Sequence, residues 1–157
     1  MFVGEYRYNL EEKGRLFIPV EFRRELAPEA QNTFVATQGQ DECIVVYPLN
    51  IWKEVIEKEL LNYPQDTPEQ RWMVRHFTKP AKYLKIDGQG RINIPQRLLE
   101  YAKLNVVSTA GKEVMTSSEV MIVGALRRIE LWHPDNYIKG ETEFTPSTPG
   151  VFPNLKL

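Results

Sequence analysis

Two arginines have the type and spacing for recognition chemistry, and each follows an acidic residue by four positions. Arg15 follows Glu11, and Arg91 follows Asp87. A guanidinium group beside an exposed turn can donate two hydrogen bonds to O6 and N7 of guanine, or it can hold a phosphate. The alternative is an internal ion pair, in which the acid lies across a hairpin and holds the arginine in place. Both can be true, because a salt-bridged arginine still presents its remaining donors.

The two acid–arginine pairs are parts of an internal repeat. Residues 11–19 read EEKGRLFIP and residues 87–95 read DGQGRINIP, with the acid, glycine, arginine, isoleucine and proline in register. Two copies of one unit can pair about a pseudo-two-fold axis, which would bring both arginines to one surface. Each copy spans roughly 50–60 residues, which is marginal for an independent hydrophobic core. We therefore expect the two halves to share one core.

Net charge gives no global sign of a nucleic-acid partner, since the 157-residue chain carries a formal charge of −1 at pH 7. The charge is unevenly distributed, however. Residues 76–97 hold five lysines or arginines and one aspartate, whereas residues 1–25 hold five basic and five acidic residues. A local basic surface is therefore predicted in the second copy and is less evident in the first.

Signals for catalysis or metal binding are weak. One cysteine and two unclustered histidines are poor material for a metal site, which commonly needs three or four ligands at recognisable spacing. The run Gly88-Gln89-Gly90 lacks the third glycine and the directly following helix of a phosphate-binding loop. The sequence also contains no nucleophile-elbow motif. We expect no enzymatic activity, no cofactor, no metal and no small-molecule substrate.

The sequence shows no sign of a membrane span or of secretion. No stretch of about 18 apolar residues occurs, and the N-terminal MFVGEYRY lacks the basic and apolar regions of a signal peptide. Cys43, the only cysteine, lies in the apolar run CIVVY and is predicted to be a buried, inert thiol. These features predict a cytoplasmic protein.

The local pattern of the first copy predicts two hairpins around a short helix. Gly14 permits the tight turn of the first hairpin. Pro19 suits the start of a helix, which should end near Pro28. Runs rich in β-branched and aromatic residues predict the second hairpin. The four expected strands are 2–10, 14–18, 33–37 and 43–47.

Two helices are predicted between the copies. Asn50 can cap the first helix, and Thr67 followed by Gln70 is a capping-box signal for the second. Met73 and Phe77 should face inward from the second helix.

The second copy should repeat the first, with strands at 83–87, 91–94, 120–123 and 129–132 and a longer loop or added hairpin at 105–118. The expected division is a first repeat at 5–52, a helical connector at 53–79, a second repeat at 80–137 and a flexible Pro- and Thr-rich tail at 138–157.

Four stretches resemble the MraZ family: GEYRYNLEEKGRLFIPVEFRREL, YPLNIW, DGQGRINIPQRLLEYAKL and IELWHPDNY. Their motifs, spacing and order agree in both copies, and the resemblance covers about residues 1–138. It implies two tandem SpoVT/AbrB-like domains. The implied fold is α+β, with two βαββ-type repeats interleaved into a swapped-hairpin, AbrB-like β-barrel that carries peripheral helices.

The resemblance also implies a function. Members of the family are DNA-binding transcriptional regulators of the bacterial division and cell-wall gene cluster, and they control their own promoter. They assemble into homo-oligomeric rings and bind short, G-rich direct repeats. The expected partners are therefore double-stranded promoter DNA, at the nucleoid, and further copies of the chain. In a ring, weak contacts from a near-neutral subunit gain strength through effective concentration.

The family's acid-x-x-x-arginine hallmark assigns roles to four residues. It falls on Glu11 with Arg15 and on Asp87 with Arg91, where the arginines would contact DNA and the acids would orient them. Glu11 departs from the usual aspartate by one methylene. Further expected DNA contacts are Lys13 and Gln89, at equivalent turn positions, and Arg7, Lys82 and Lys85, on the preceding strands. For the strand residues, a solvated surface charge is weighed slightly ahead of a phosphate contact.

A different class of function stays open, namely a protein-interaction scaffold or an antitoxin-like module of the AbrB barrel class. Its helices or its Phe- and Pro-containing tail would then hold a partner protein. Deletion of residues 140–157 separates the two ideas, because a DNA regulator should keep operator binding without the tail.

Overall fold

The computed structural model describes residues 1–104 and 118–145, so most of the predicted 105–118 insertion and the end of the tail lie outside the described residues. The strands are β1 (Glu5–Asn9), β2 (Arg15–Phe17), β3 (Thr33–Gln38), β4 (Ile44–Pro48), β5 (Lys82–Lys85), β6 (Arg91–Asn93), β7 (Glu119–Ala125) and β8 (Arg128–Trp132). The helices are Val20–Arg24, a three-segment connector helix (Leu49–Ile51, Trp52–Ile56 with π geometry, Glu57–Asn62), Pro68–Thr78, Gln96–Tyr101 and Pro134–Glu143.

The strands of the two copies are interleaved. A six-stranded antiparallel sheet has the order β1-β7-β8-β4-β3-β5. In this sheet β1 of the first copy pairs with β7 of the second, β5 of the second copy pairs with β3 of the first, and β4 meets β8 at the centre. The remaining strands, β2 and β6, pair as a separate antiparallel ribbon. Both sheets therefore have an internal pseudo-two-fold relation between the copies.

Two predicted hairpins are confirmed and two are wrong. β3 pairs with β4, and β7 pairs with β8, as expected. In the described sheets β1 does not pair with β2, nor β5 with β6, because each of these strands takes its partner from the other copy. A backbone hydrogen bond still closes each turn, from Glu11 N to Arg15 O at 2.8 Å and from Asp87 N to Arg91 O at 2.9 Å.

The predicted α+β class is confirmed, with a mostly antiparallel sheet and a few helices. The expected closed barrel is not found among the described strands. β1 and β5 lie at opposite edges of the larger sheet, and the ribbon of β2 and β6 remains a second sheet.

One hydrophobic core serves both copies, as predicted. Leu16 pairs with Ile92, its equivalent in the second copy, and both side chains are fully buried. The equivalent short helices add Phe22 and Leu98 to the same cluster. Burial of a side chain of this size stabilises the fold by about 1.5–3 kcal/mol. Because both copies contribute to this cluster, much of this burial would be lost if the copies separated.

The connector helices confirm one predicted cap and contradict another. Thr67 Oγ1 accepts a hydrogen bond from Gln70 N at 3.2 Å, and Gln70 Oε1 accepts one from Thr67 N at 3.0 Å, as the capping-box signal predicts. Asn50 is not a cap, because β4 runs directly into the helix with Pro48 in the cap position. The Asn50 Oδ1 atom is instead buried without a hydrogen-bond partner in the described part of the chain. Met73, predicted to face inward, is 38% exposed.

The last helix, Pro134–Glu143, continues past residue 138, where the flexible tail was expected to begin. His133 Nδ1 accepts a hydrogen bond from Asp135 N at 3.0 Å and caps this helix. Cys43 is buried as predicted, and desolvation raises the pKa of its thiol to about 12. Within residues 1–104 and 118–145 no group of three or more His, Cys, Asp or Glu could hold a metal ion. No helix there has the length and apolar character needed to cross a membrane.

Candidate nucleic-acid interface

The ribbon of β2 and β6 presents four side chains on its outward face. Strand alternation turns Leu16 and Ile92 into the core, so the residues on either side of each point outward. The outward set comprises Arg15, Phe17, Arg91 and Asn93. Arg15 lies directly across from Asn93, and Phe17 lies directly across from Arg91. The two arginines are therefore diagonal neighbours, a relation that places residues about 7–8 Å apart.

Arg91 is held by an acid of the other copy. Its Nε and Nη2 atoms donate to the two carboxylate oxygens of Glu11, at 2.5 and 2.9 Å. This bidentate pairing is the strongest geometry for a guanidinium and a carboxylate. It lowers the pKa of Glu11 and raises the pKa of Arg91. The hypothesis of an ion pair within one turn is thus wrong for Glu11, because strand exchange brings the first turn beside the second copy's arginine.

Asp87 acts on the backbone of its own turn. Its Oδ1 atom accepts hydrogen bonds from Gln89 N at 2.8 Å and from Arg91 N at 3.0 Å. These bonds lower the pKa of Asp87, and the bond from Arg91 N has the largest effect. The equivalent carboxylate of Glu11 makes no capping bond to its own turn. The two acids therefore hold equivalent positions in the repeat, but Glu11 binds a side chain and Asp87 binds backbone N–H groups.

Two glycines allow the turns to pack closely. Gly14 and Gly90 have φ angles of +76° and +81°, a region that favours glycine. A Cβ atom at Gly14 would lie 2.6 Å from the carbonyl oxygen of Ile94. A Cβ atom at Gly90 would lie 2.7 Å from Cζ of Arg23. A side chain at Gly14 would therefore press on the backbone of the other copy, whereas one at Gly90 would displace the guanidinium of Arg23.

Phe17 is an aromatic platform for two guanidinium groups. Cζ of Arg23 lies 5.0 Å and Cζ of Arg91 lies 5.8 Å from the centroid of the ring, within the range of cation–π attraction. The sequence interpretation did not include Phe17, Asn93 or Arg23. Alternation along the two strands could have identified the first two. Arg23 has no comparable signal, because it comes from a neighbouring helix.

The other predicted DNA contacts lie in three places, namely the two turns, edge strand β5 and strand β1. Gln89 lies beside Arg91, whose Nη1 reaches its backbone and side-chain oxygens at 3.3 and 3.4 Å. Lys13 is exposed at the equivalent place in the first turn. Lys82 and Lys85 are exposed on edge strand β5 and line a shallow depression together with Asn93. Arg7 lies on β1 and donates a hydrogen bond to Glu119 at 3.0 Å.

The chain is similar to a known family over both copies. A family model described as "MraZ protein, putative antitoxin-like" matches residues 1–76 and again residues 77–148. Among relatives named Transcriptional regulator MraZ, that of Halothermothrix orenii is 42% identical over 132 residues, 84% of this chain and 80% of the relative. That of Clostridium acetobutylicum is 37% identical over 139 residues, 88% of this chain and 86% of the relative. That of Natranaerobius thermophilus is 38% identical over 140 residues, 87% of this chain and 86% of the relative.

These matches agree with the internal repeat, since each family match contains one turn and one of the two arginines. The relatives are named as regulators and not as enzymes, which agrees with the expectation of no enzymatic activity. On the strength of both matched repeats and the identity to relatives over most of their length, the chain belongs to the MraZ family.

Proposed function

We propose that this protein is a DNA-binding transcriptional regulator that presents the outward face of the β2–β6 ribbon to the major groove. The observation that carries the proposal is the presence of Arg15 and Arg91 as diagonal neighbours on that face. A two-stranded ribbon fits the major groove, and arginine is the residue that most often reads guanine there. The names of the relatives point to the same class of function.

The proposed targets are short, G-rich direct repeats in the promoter of the division and cell-wall gene cluster, including the promoter of this protein's own gene. Two guanidinium forks on one narrow ribbon would favour guanine over other bases. In this proposal Lys82 and Lys85, which lie near Asn93, add phosphate contacts, and Lys13 and Gln89, in the two turns, contact DNA next to the arginines. Such a regulator would work in the cytoplasm at the nucleoid.

We also propose a ring of subunits built on an AbrB-like swapped-hairpin unit. Interleaved pairing of the copies supports the swapped unit. Exposed apolar side chains on the connector helices support association, since Leu61 is 79% and Trp72 is 64% exposed. Leu61 also lines an apolar depression between the connector helices and β5, and exposed apolar patches are typical of protein contacts. A ring that meets repeated boxes raises affinity without any new contact.

Binding to DNA from upstream of the protein's own gene tests this function. The natural fragment and a fragment with scrambled repeats are compared in a gel shift at one stated salt concentration, because affinity depends steeply on salt. The natural fragment should bind at a protein concentration at which the scrambled one remains free. Equal binding of both fragments would refute the proposed recognition of repeats.

A second candidate function is a protein-interaction module, which the antitoxin-like description of the family favours. An apolar depression between the connector helices and β5 could hold a partner, and its lining includes Trp52, Leu60, Val74 and Tyr83. Deletion of residues 140–157 tests whether binding depends on the tail. Loss of DNA binding in that deletion would favour the second candidate, and retention favours the first.

A further inference from the structure

Arg23 belongs to the first copy but packs against the turn of the second. Its Nε donates to the carbonyl oxygen of Ile18 at 3.0 Å. Ile18 N in turn donates to the carbonyl oxygen of Gly90 at 2.9 Å. The guanidinium lies so close to Gly90 that it leaves no room for a Cβ there. Arg23 therefore contacts the chain one residue before Arg91.

The second copy shows what this position needs for packing alone. The equivalent of Arg23 is Leu99, which lies against Gly14 in the same way, with Cδ1 at 3.2 Å from a Cβ built there. Ile94 N donates to the carbonyl oxygen of Gly14, as Ile18 N does to that of Gly90. An apolar leucine thus fills the place in one copy. Arginine at the same place in the other copy adds a positive charge that packing does not require.

Electrostatics at the second turn gives that charge a role. Two carboxylates lie there, since Glu11 binds the Arg91 side chain and Asp87 closes the turn. The positive charges of Arg91 and Arg15 both act on these two carboxylates, so two acids face two arginines and a further cation would favour an incoming phosphate. Arg23 supplies such a cation, and its guanidinium lies over the Phe17 ring, as that of Arg91 does. In residues 1–104 and 118–145, the one hydrogen bond of its side chain uses Nε, which leaves both Nη groups to donate elsewhere.

We propose that Arg23 is a phosphate-contacting residue that the first copy supplies to the DNA-facing turn of the second copy. This inference rests on the proposed DNA-binding function and goes beyond it by assigning a residue outside both repeat motifs. A phosphate contact contributes affinity without reading sequence. Loss of the charge should therefore weaken specific and scrambled DNA alike, and it should reduce the dependence of affinity on salt.

Fluorescence anisotropy of the upstream DNA fragment, measured over a series of salt concentrations, tests the proposal. Arg23→Leu installs the side chain of the second copy, and Arg23→Gln keeps a donor for Ile18 without the charge. Both should lower the slope of log affinity against log salt by about 0.9 for each subunit in contact with DNA. Arg23→Lys should keep the slope. Arg24→Leu, an exposed neighbour with the same change of charge, should leave affinity and slope unchanged.

The outcomes separate this inference from the proposed function. Wild-type affinity and slope in the folded Arg23→Gln and Arg23→Leu variants, with binding lost in Arg91→Ala, would overturn the role of Arg23 and leave the function intact. Weakened binding with an unchanged slope, shared by Arg23→Lys, would assign Arg23 a purely structural role and also overturn it. If Arg23→Leu does not fold, Arg23→Gln carries the test. Unchanged DNA binding in Arg91→Ala and Arg15→Ala would refute the DNA-binding face, and the inference with it.

Discussion

Glu11 of the first copy binds Arg91 of the second through both carboxylate oxygens, whereas Arg15 makes no ion pair in the described part of the chain. The two arginines hold equivalent positions in the repeat, but the Arg91 side chain is held by partners and the Arg15 side chain is not held by an ion pair. Arg91 is further confined by Phe17 and by the backbone bonds of Asp87. An ordered guanidinium loses little conformational entropy when it binds, so we expect Arg91 to contribute more to sequence discrimination than Arg15.

Replacement of either arginine should remove specific DNA binding. Arg15→Ala and Arg91→Ala each delete a fork that can donate to guanine, and each leaves the buried side of the ribbon intact. Gel shifts should show affinity for the natural fragment reduced towards that for a scrambled one, with the larger reduction in Arg91→Ala. Size-exclusion chromatography with light scattering should show an unchanged oligomer. Unaltered gel-shift affinity in both variants would contradict the assignment of the site.

Removal of the Glu11 charge should reduce discrimination while raising general affinity for DNA. Glu11→Gln frees Arg91 from its bidentate partner and deletes a negative charge from the face. The ratio of affinities for natural and scrambled fragments should therefore fall, and affinity for the scrambled fragment should rise. Glu12→Gln is the matched control, because it makes the same charge change at the neighbouring exposed residue. An equal loss of discrimination in both variants would show that charge alone is responsible.

Acid should weaken the second turn. Hydrogen bonds from the backbone N–H groups of Arg91 and Gln89 lower the pKa of Asp87 below its ordinary value of 3.8. The pKa of Asp87 is lower in the folded protein than in the unfolded chain. The stability that its carboxylate adds is therefore fully present above pH 3.8, and it is lost as the pH falls through the folded-state pKa. The difference in Tm between the wild type and Asp87→Asn should be present at neutral pH and shrink in acid. A difference that persists unchanged at the acid end of the series would refute this role of the carboxylate.

Truncation at the pseudo-two-fold centre should destabilise both copies together. Leu16 is fully buried opposite Ile92, so Leu16→Ala should lower the free energy of unfolding by about 2–5 kcal/mol. Val3→Ala, at a position that is 66% exposed, should change it little. Urea denaturation should show one cooperative transition in both variants. Two separate transitions in Leu16→Ala would mean that the copies have independent cores.

The exposed apolar side chains of the connector helices should control how much more tightly the protein binds tandem boxes than a single box. A fragment with tandem boxes should bind the wild type far more tightly than a fragment with one box, because the proposed ring would engage several boxes at high effective concentration. Leu61→Glu places a charge on the exposed apolar surface and should lower both the oligomeric mass and this advantage. Lys58→Glu, exposed on the same helix, serves as the control. Equal affinities for one box and for tandem boxes would rule out avidity.

Local sequence patterns predicted most of the elements and one of the two proposed caps. The hairpin of β3 and β4 and the capping box at Thr67 depend on residues close in sequence, where turn chemistry and alternation suffice. The expected pairing of β1 with β2 was wrong because a strand with one buried face has the same pattern whichever copy supplies its partner. Alternation along β2 and β6 could have identified Phe17 and Asn93 as outward-facing residues, but no local pattern could have identified Arg23.

The sequence by itself determined the duplication, the two turn glycines and the arginines that follow them, because these are properties of residue type and spacing. Only the tertiary structure decided that Glu11 binds the other copy's Arg91, and that Arg23 supports a turn far from it in sequence. The physical reason is that interleaved pairing joins residues about a pseudo-two-fold axis. Two copies alike in sequence then acquire different neighbours, and those neighbours set the freedom of each arginine.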